Sequence, residues 1–201
     1  MGVFEHWPNR ITAVRFVGAL VLFAIFAVYG ELDPASIRQV WCIAFWLFTV
    51  TAATDFLDGY LARQGNQVTA FGRIADPFVD KVLILGSMIF LAVLDWSQPY
   101  LPAWMVVVIL SRELLVTGIR GYVEKVGGEF PADGFGKIKM IVQCIAVGAL
   151  LWLEAYAWPA GWLVFWQWTA HVFVWATLVA TVGSGISYVS KTSNILREVG
   201  A

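Results

Sequence analysis

Four aspartates stand close together in a chain that is otherwise 60% hydrophobic. They form the string Asp55-x-x-Asp58-Gly59-x-x-Ala62-Arg63, then eight residues, then Gly72-x-x-x-Asp76-x-x-x-Asp80. A carboxylate near lipid is costly and persists there when it is paired, bound to a cation or functional. Asp55 and Asp58 are three apart and Asp76 and Asp80 four apart, so each pair shares one face of a helix. Oxygen ligands without His or Cys favour hard cations such as Mg²⁺ or Mn²⁺. Four acids suffice for two ions, an arrangement suited to in-line displacement at phosphorus. Gly59 and Gly72 remove side chains where a ligand or a neighbouring backbone approaches. Ala62 leaves room beside the first pair, and Arg63 offers a fork that matches a phosphate. The structural alternative is that the aspartates pair with Arg63, Arg73 or Lys81 and merely knit helices together.

The elements that carry these residues follow from the apolar pattern. At 201 residues, 13% of them charged, with a mean hydropathy of +0.74, the chain is too apolar for a soluble domain. Apolar stretches near 11–30, 38–62, 73–95, 101–122, 137–157 and 160–189 are each long enough to cross a bilayer, which takes about 20 residues. Turn signals separate them, among them Gly30-Glu31-Leu32-Asp33-Pro34, Ser97-Gln98-Pro99 and Trp158-Pro159. The expectation is an all-α integral membrane protein of six transmembrane helices with a short amino-terminal interfacial segment. Residues 1–10, with Phe4, Trp7 and Arg10, suit the membrane surface; 11–190 form the catalytic domain, and 191–201 a cytoplasmic tail. The first apolar run reads as a retained span, not a leader. A net charge of -1 gives no field for nucleic acid. Cys42 and Cys144 read as small buried hydrophobes, and His6 and His171 as interfacial or core residues. Gly118, Gly121, Gly148, Gly183 and Gly185 are expected to permit close helix packing.

Six spans put both termini on one side. Of thirteen basic residues, all but Arg38 then fall at that end, which the positive-inside rule makes cytoplasmic. The four aspartates share it. Trp41, Trp96, Trp104, Trp158 and Trp162 gather near the opposite ends, where an aromatic belt is expected. Lys125, Lys191 and Arg197 read as anchors to anionic headgroups.

The Asp55–Asp80 string resembles the signature of the CDP-alcohol phosphotransferase family, with every defining position and both gaps intact. The resemblance implies that Asp55, Asp58, Asp76 and Asp80 hold two metal ions, with Asp80 also the proposed base. It further implies that Asn9, Thr12, Asp58, Gly59, Ala62, Arg63, Gly72 and Arg73 bind the CDP moiety, and that the protein is a homodimer in a bacterial inner membrane.

A second polar constellation bears on the acceptor. Ser111-Arg112-Glu113 is followed by Thr117, Arg120, Lys137, Lys139 and Gln143. Arg112 and Arg120 are eight apart, about 80° on a helix. With Lys137 and Lys139 they suggest an anionic acceptor, an alcohol bearing a phosphate. Glu113 is placed to hold one arginine. These residues resemble the branch of the family that makes phosphatidylglycerol phosphate from CDP-diacylglycerol and sn-glycerol 3-phosphate. So do Asp76-Pro77-Phe78-Val79-Asp80-Lys81 and the Asn9, Thr12, Arg15 triplet. Ile119 and Met140 depart from that pattern, where leucine and threonine are usual. Rival acceptors are phosphatidylglycerol (in cardiolipin synthesis), inositol phosphate or serine. A different class, a divalent-cation transporter, would spread its carboxylates through the membrane depth.

Overall fold

The structure, a computed structural model, describes the backbone of residues 7–65, 70–125 and 134–199 and the side chains of 9–54, 72, 75–125 and 136–192. The described residues form six helices and no strand: α1 (Trp7–Tyr29), α2 (Arg38–Gly65), α3 (Ala70–Val93), α4 (Ala103–Lys125), α5 (Gly134–Ala155) and α6 (Ala160–Val199). Three contain stretches long and apolar enough to cross a membrane: Asn9–Tyr29, Gly136–Ala155 and Ala160–Thr192.

The helices end where backbone groups find local partners. After α1, Asp33 closes a turn: its Oδ1 accepts from the Ala35 amide at 3.3 Å and its carbonyl from the Ser36 amide at 3.0 Å. After α3, the buried Ser97 hydroxyl donates to the Leu91 carbonyl at 2.5 Å, satisfying an acceptor the helix end leaves open. Two boundaries differ from expectation. Trp7–Arg10, expected in a surface segment, are the first turn of α1; residues 1–6 lie outside the described residues. Helix α6 runs on to Val199, past the expected end at 189 and through most of the expected tail, because no Gly or Pro interrupts residues 186–199. Its 40 residues are about 60 Å long.

Helix α1 packs on both α2 and α3. Its apolar face, with Ala19, Leu22 and Phe26, belongs to the core. α5 packs on α2 and α6, and α4 on α6 and α3. Trp41 belongs to this core and not to an interfacial belt. It is 0% exposed, stacked on Phe26 and edge-on to Trp96 at 5.0 Å. Trp104 and Trp162, by contrast, are exposed. Cys42 and Cys144 are not joined in a disulfide, and both are half-buried.

The expectation for the glycines needs correcting. A Cβ added at Gly118, Gly121 or Gly183 meets nothing within 4 Å, because these positions face away from the bundle. A tight place is Gly86 on α3, where an added Cβ would lie 2.2 Å from Phe23 Cζ, and Phe23 is itself stacked on Phe90 at 5.5 Å. Gly86→Ala is therefore expected to lower stability by about 1–3 kcal/mol through overpacking. Gly118→Ala should change it by less than about 1 kcal/mol, in the stabilising direction. Thermal unfolding in detergent compares the two; equal effects would contradict this packing.

Candidate active site

The polar side chains collect at one end of the bundle. On α1, Asn9, Thr12 and Arg15 recur every three residues, form one face and are all buried. That face meets the start of α3. Thr12 Oγ1 donates to Asp76 Oδ1 at 2.5 Å, and Arg15 Nη2 donates to Asp80 Oδ1 in an ion pair. Asp76 and Asp80 thus share a face, with Pro77 between them inside the helix. Asp55, Asp58, Gly59, Ala62 and Arg63 lie on the carboxyl-terminal part of α2, and Arg73 on the first turn of α3; their side-chain positions are outside the described residues. Gly72 is buried on α3. Among the described residues no three His, Cys, Asp or Glu side chains gather, and Asp76 and Asp80 are the described members of the expected metal set. Their all-oxygen chemistry fits a hard divalent cation. Pairing of Asp76 or Asp80 with Lys81 does not occur; Lys81 Nζ donates instead to Thr117 Oγ1.

The second constellation surrounds a cavity of about 690 Å³. Asp80 and Lys81 from α3, Arg112, Thr117 and Arg120 from α4, Lys137, Lys139 and Gln143 from α5, and Tyr188 from α6 all line it. The structure therefore brings Arg112, Arg120, Lys137 and Lys139 together, and beside Asp80. Their partners differ. Glu113 is a hub: its Oε1 accepts from Arg112 Nη1 at 3.0 Å and from Lys139 Nζ in an ion pair. The Lys139 ammonium, expected on the acceptor phosphate, thus faces Glu113, because at 6% exposed it needs a counter-charge at hand. Thr117 Oγ1 gives its proton to the Glu113 carbonyl at 2.7 Å, which leaves a lone pair for Lys81.

Tyr188 is the residue that sequence reasoning passed over. Its hydroxyl accepts from Arg120 Nη2 at 2.7 Å. Its ring carries both guanidinium groups, with Arg112 Cζ 5.3 Å and Arg120 Cζ 5.9 Å from the centroid. One turn earlier, Gly185 leaves space for the Arg112 stem; an added Cβ would lie 3.2 Å from its Cγ. Gly185-x-x-Tyr188 was a legible signal, a small residue and an aromatic on one helix face, but its partners lay on a helix distant in sequence. Arg112 Nε and Nη2 are buried with no hydrogen-bond partner among the described residues. Two donors of one guanidinium left unmatched beside a cavity suit a phosphate.

A second cavity, about 240 Å³ and almost wholly apolar, lies between α1, α2, α3 and α5. Asp80, Ile84 and Met140 line both. His171 is remote, packed on Tyr100 with ring centroids 4.6 Å apart.

Removing one partner of a buried pair is expected to cost about 3–5 kcal/mol, because the other charge stays behind. Glu113→Leu should therefore destabilise strongly, whereas Glu113→Leu combined with Lys139→Met should recover much of the loss. Denaturation midpoints of the two single variants and the double variant measure this coupling; strict additivity would contradict the hub.

The CDP-alcohol phosphatidyltransferase family model matches residues 5–183. A CDP-diacylglycerol–glycerol-3-phosphate 3-phosphatidyltransferase of Bacillus subtilis is 36% identical over 94% of this chain and 96% of its own. A probable phosphatidylglycerophosphate synthase of Mycobacterium tuberculosis is 35% identical over 96% of this chain and 82% of its own. A Rickettsia felis protein with the same name as the Bacillus relative is 28% identical over 94% of this chain and 96% of its own. The chain belongs to the CDP-alcohol phosphatidyltransferase family.

Proposed function

We propose that this protein transfers the phosphatidyl group of CDP-diacylglycerol to sn-glycerol 3-phosphate, giving phosphatidylglycerol phosphate and CMP. The observation that carries the reading is the 690 Å³ cavity, which sets Arg112, Arg120 and Lys137 beside Asp80. A phosphorylated alcohol needs such a pairing: cations for its phosphate and a carboxylate for its hydroxyl. The names of the Bacillus and Rickettsia relatives support the same two substrates.

Asp55, Asp58, Asp76 and Asp80 would hold two divalent ions, Mg²⁺ or Mn²⁺. When bound, such ions neutralise the diphosphate and stabilise charge on the departing phosphate. The chain's own residues do the rest. Asp80 accepts the proton of the acceptor's 1-hydroxyl. That oxygen bonds to the phosphorus bearing diacylglycerol as the bond from phosphorus to the CMP oxygen breaks, and CMP leaves with the electron pair. Arg112, Arg120 and Lys137 hold the acceptor phosphate, and Lys139 keeps Glu113 and hence Arg112 in place. Thr12 and Arg15 orient Asp76 and Asp80. Asn9, Thr12, Asp58, Gly59, Ala62, Arg63, Gly72 and Arg73 contact CDP. The apolar cavity suits an acyl chain near the diacylglycerol end.

In this reading six helices cross a bacterial inner membrane, residues 11–190 form the catalytic domain, and two copies associate. The termini and the polar cavity face the cytoplasm, which the crowding of basic residues at that end supports.

Purified protein given CDP-diacylglycerol and a panel of alcohols should release CMP fastest with glycerol 3-phosphate; equal or better use of phosphatidylglycerol would sink the acceptor assignment. Chelation should abolish release, and Mg²⁺ or Mn²⁺ should restore it. Asp80→Asn is expected to lower kcat by at least about 100-fold at saturating metal. Tyr188→Phe is expected to raise the KM for glycerol 3-phosphate several-fold, because Arg120 loses the hydroxyl that holds its guanidinium in place. The KM for CDP-diacylglycerol should stay near its wild-type value.

A further inference from the structure

Gln143 has been given no role so far. It is 3% exposed, it lines the large cavity, and its Nε2 has no hydrogen-bond partner among the described residues. Buried amides nearly always find partners, because one left unmatched loses its hydration without return. The other α5 residues on this wall supply no alternative. Lys139 is committed to Glu113, Met140 and Gly136 carry no polar side-chain donor, and Lys137 stands exposed at the rim. Gln143 follows Lys139 by four residues and Met140 by three, so it shares their helix face. It therefore neighbours both the cationic part of the cavity and the wall that Met140 shares with Asp80.

An acceptor that spans from the arginines to Asp80 passes this amide with its middle carbons. We propose that Gln143 Nε2 donates to an acceptor hydroxyl that is neither the attacking group nor part of the phosphate. It thereby selects phosphorylated polyols over simple phosphorylated alcohols. In glycerol 3-phosphate that hydroxyl is the one on C2. The assignment rests on the cavity being the acceptor site, as proposed above. A site built to hydrogen-bond a hydroxyl rejects the analogue lacking it, since its own polar group is then left buried and unpaired.

The test is a competition between glycerol 3-phosphate and 3-hydroxypropyl phosphate, which lacks only the C2 hydroxyl. Both are supplied to the full chain in nanodiscs with CDP-diacylglycerol and Mg²⁺, and the two lipid products are quantified. Their ratio reports relative kcat/KM and does not depend on the fraction of protein that is folded. The wild type is expected to favour glycerol 3-phosphate by about tenfold or more. Gln143→Leu should bring the ratio to within about threefold of unity, mainly by losing the glycerol 3-phosphate product. Gln143→Asn, which withdraws the amide by one methylene, should fall between, and it decides in the same way if the leucine variant does not fold. A variant that loses both products equally and keeps the wild-type ratio makes the amide structural and overturns the assignment. So does a wild type that makes phosphatidylglycerol phosphate without preferring the polyol. A wild type that makes neither product overturns the reading of the cavity itself, and this assignment with it.

Discussion

An ionised group inside an apolar bundle must meet its counter-charge, and that constraint organises this molecule. Leaving one partner alone costs several kcal/mol, more than most single apolar contacts contribute. Among the described residues, contacts of this kind join different helices: Thr12 with Asp76, Arg15 with Asp80, Glu113 with Lys139, Arg120 with Tyr188. Together they fasten α1 to α3, α4 to α5 and α4 to α6. A shift of one turn along any of these helices would part a charge from its partner. The other end of the bundle is held by Phe26, Trp41, Trp96 and their neighbours. Apolar packing there is less directional and fixes the register less tightly.

Much of this was legible from residue order. Six helices were readable from six apolar runs, because an element's length and turn signals are local. The common face of Asp76 and Asp80 was readable from a spacing of four, and the nearness of Arg112, Arg120, Lys137 and Lys139 from their place near the ends of neighbouring helices. What periodicity cannot give is the partner of a face. Hence the packing of α1 on both α2 and α3 is reported by no local pattern. Hence also Trp41, which sits at a helix start as a belt residue would, proved to be core. Glu113 was recognised as a holder of one arginine; that it holds a buried lysine as well depends on the crossing of α4 and α5, which no local pattern reports.

The arginine pair illustrates how a site is built from modest parts. Arg120 is held from α6, and Arg112 from α6 and from Glu113 beside it. Tyr188 offers both a flat face and a hydroxyl, and Gly185 yields the volume that Arg112 needs. Glu113 takes one side of the Arg112 fork, so the orientation of the remaining donors is set before any ligand arrives. Preorganisation of this kind reduces the ordering that binding must otherwise bring about. It also explains why α6, apolar for most of its length, contributes to a polar cavity.

Asp80 stands in the wall between a polar cavity and an apolar one. In the proposed reaction the two substrates that meet there come from reservoirs that never mix, one counted per volume of water and the other per area of lipid. Diluting the membrane with inert lipid would then slow turnover at constant bulk composition, while changing the volume of the aqueous phase at fixed solute concentration would not. The rate of such a protein reports on the composition of the bilayer it sits in.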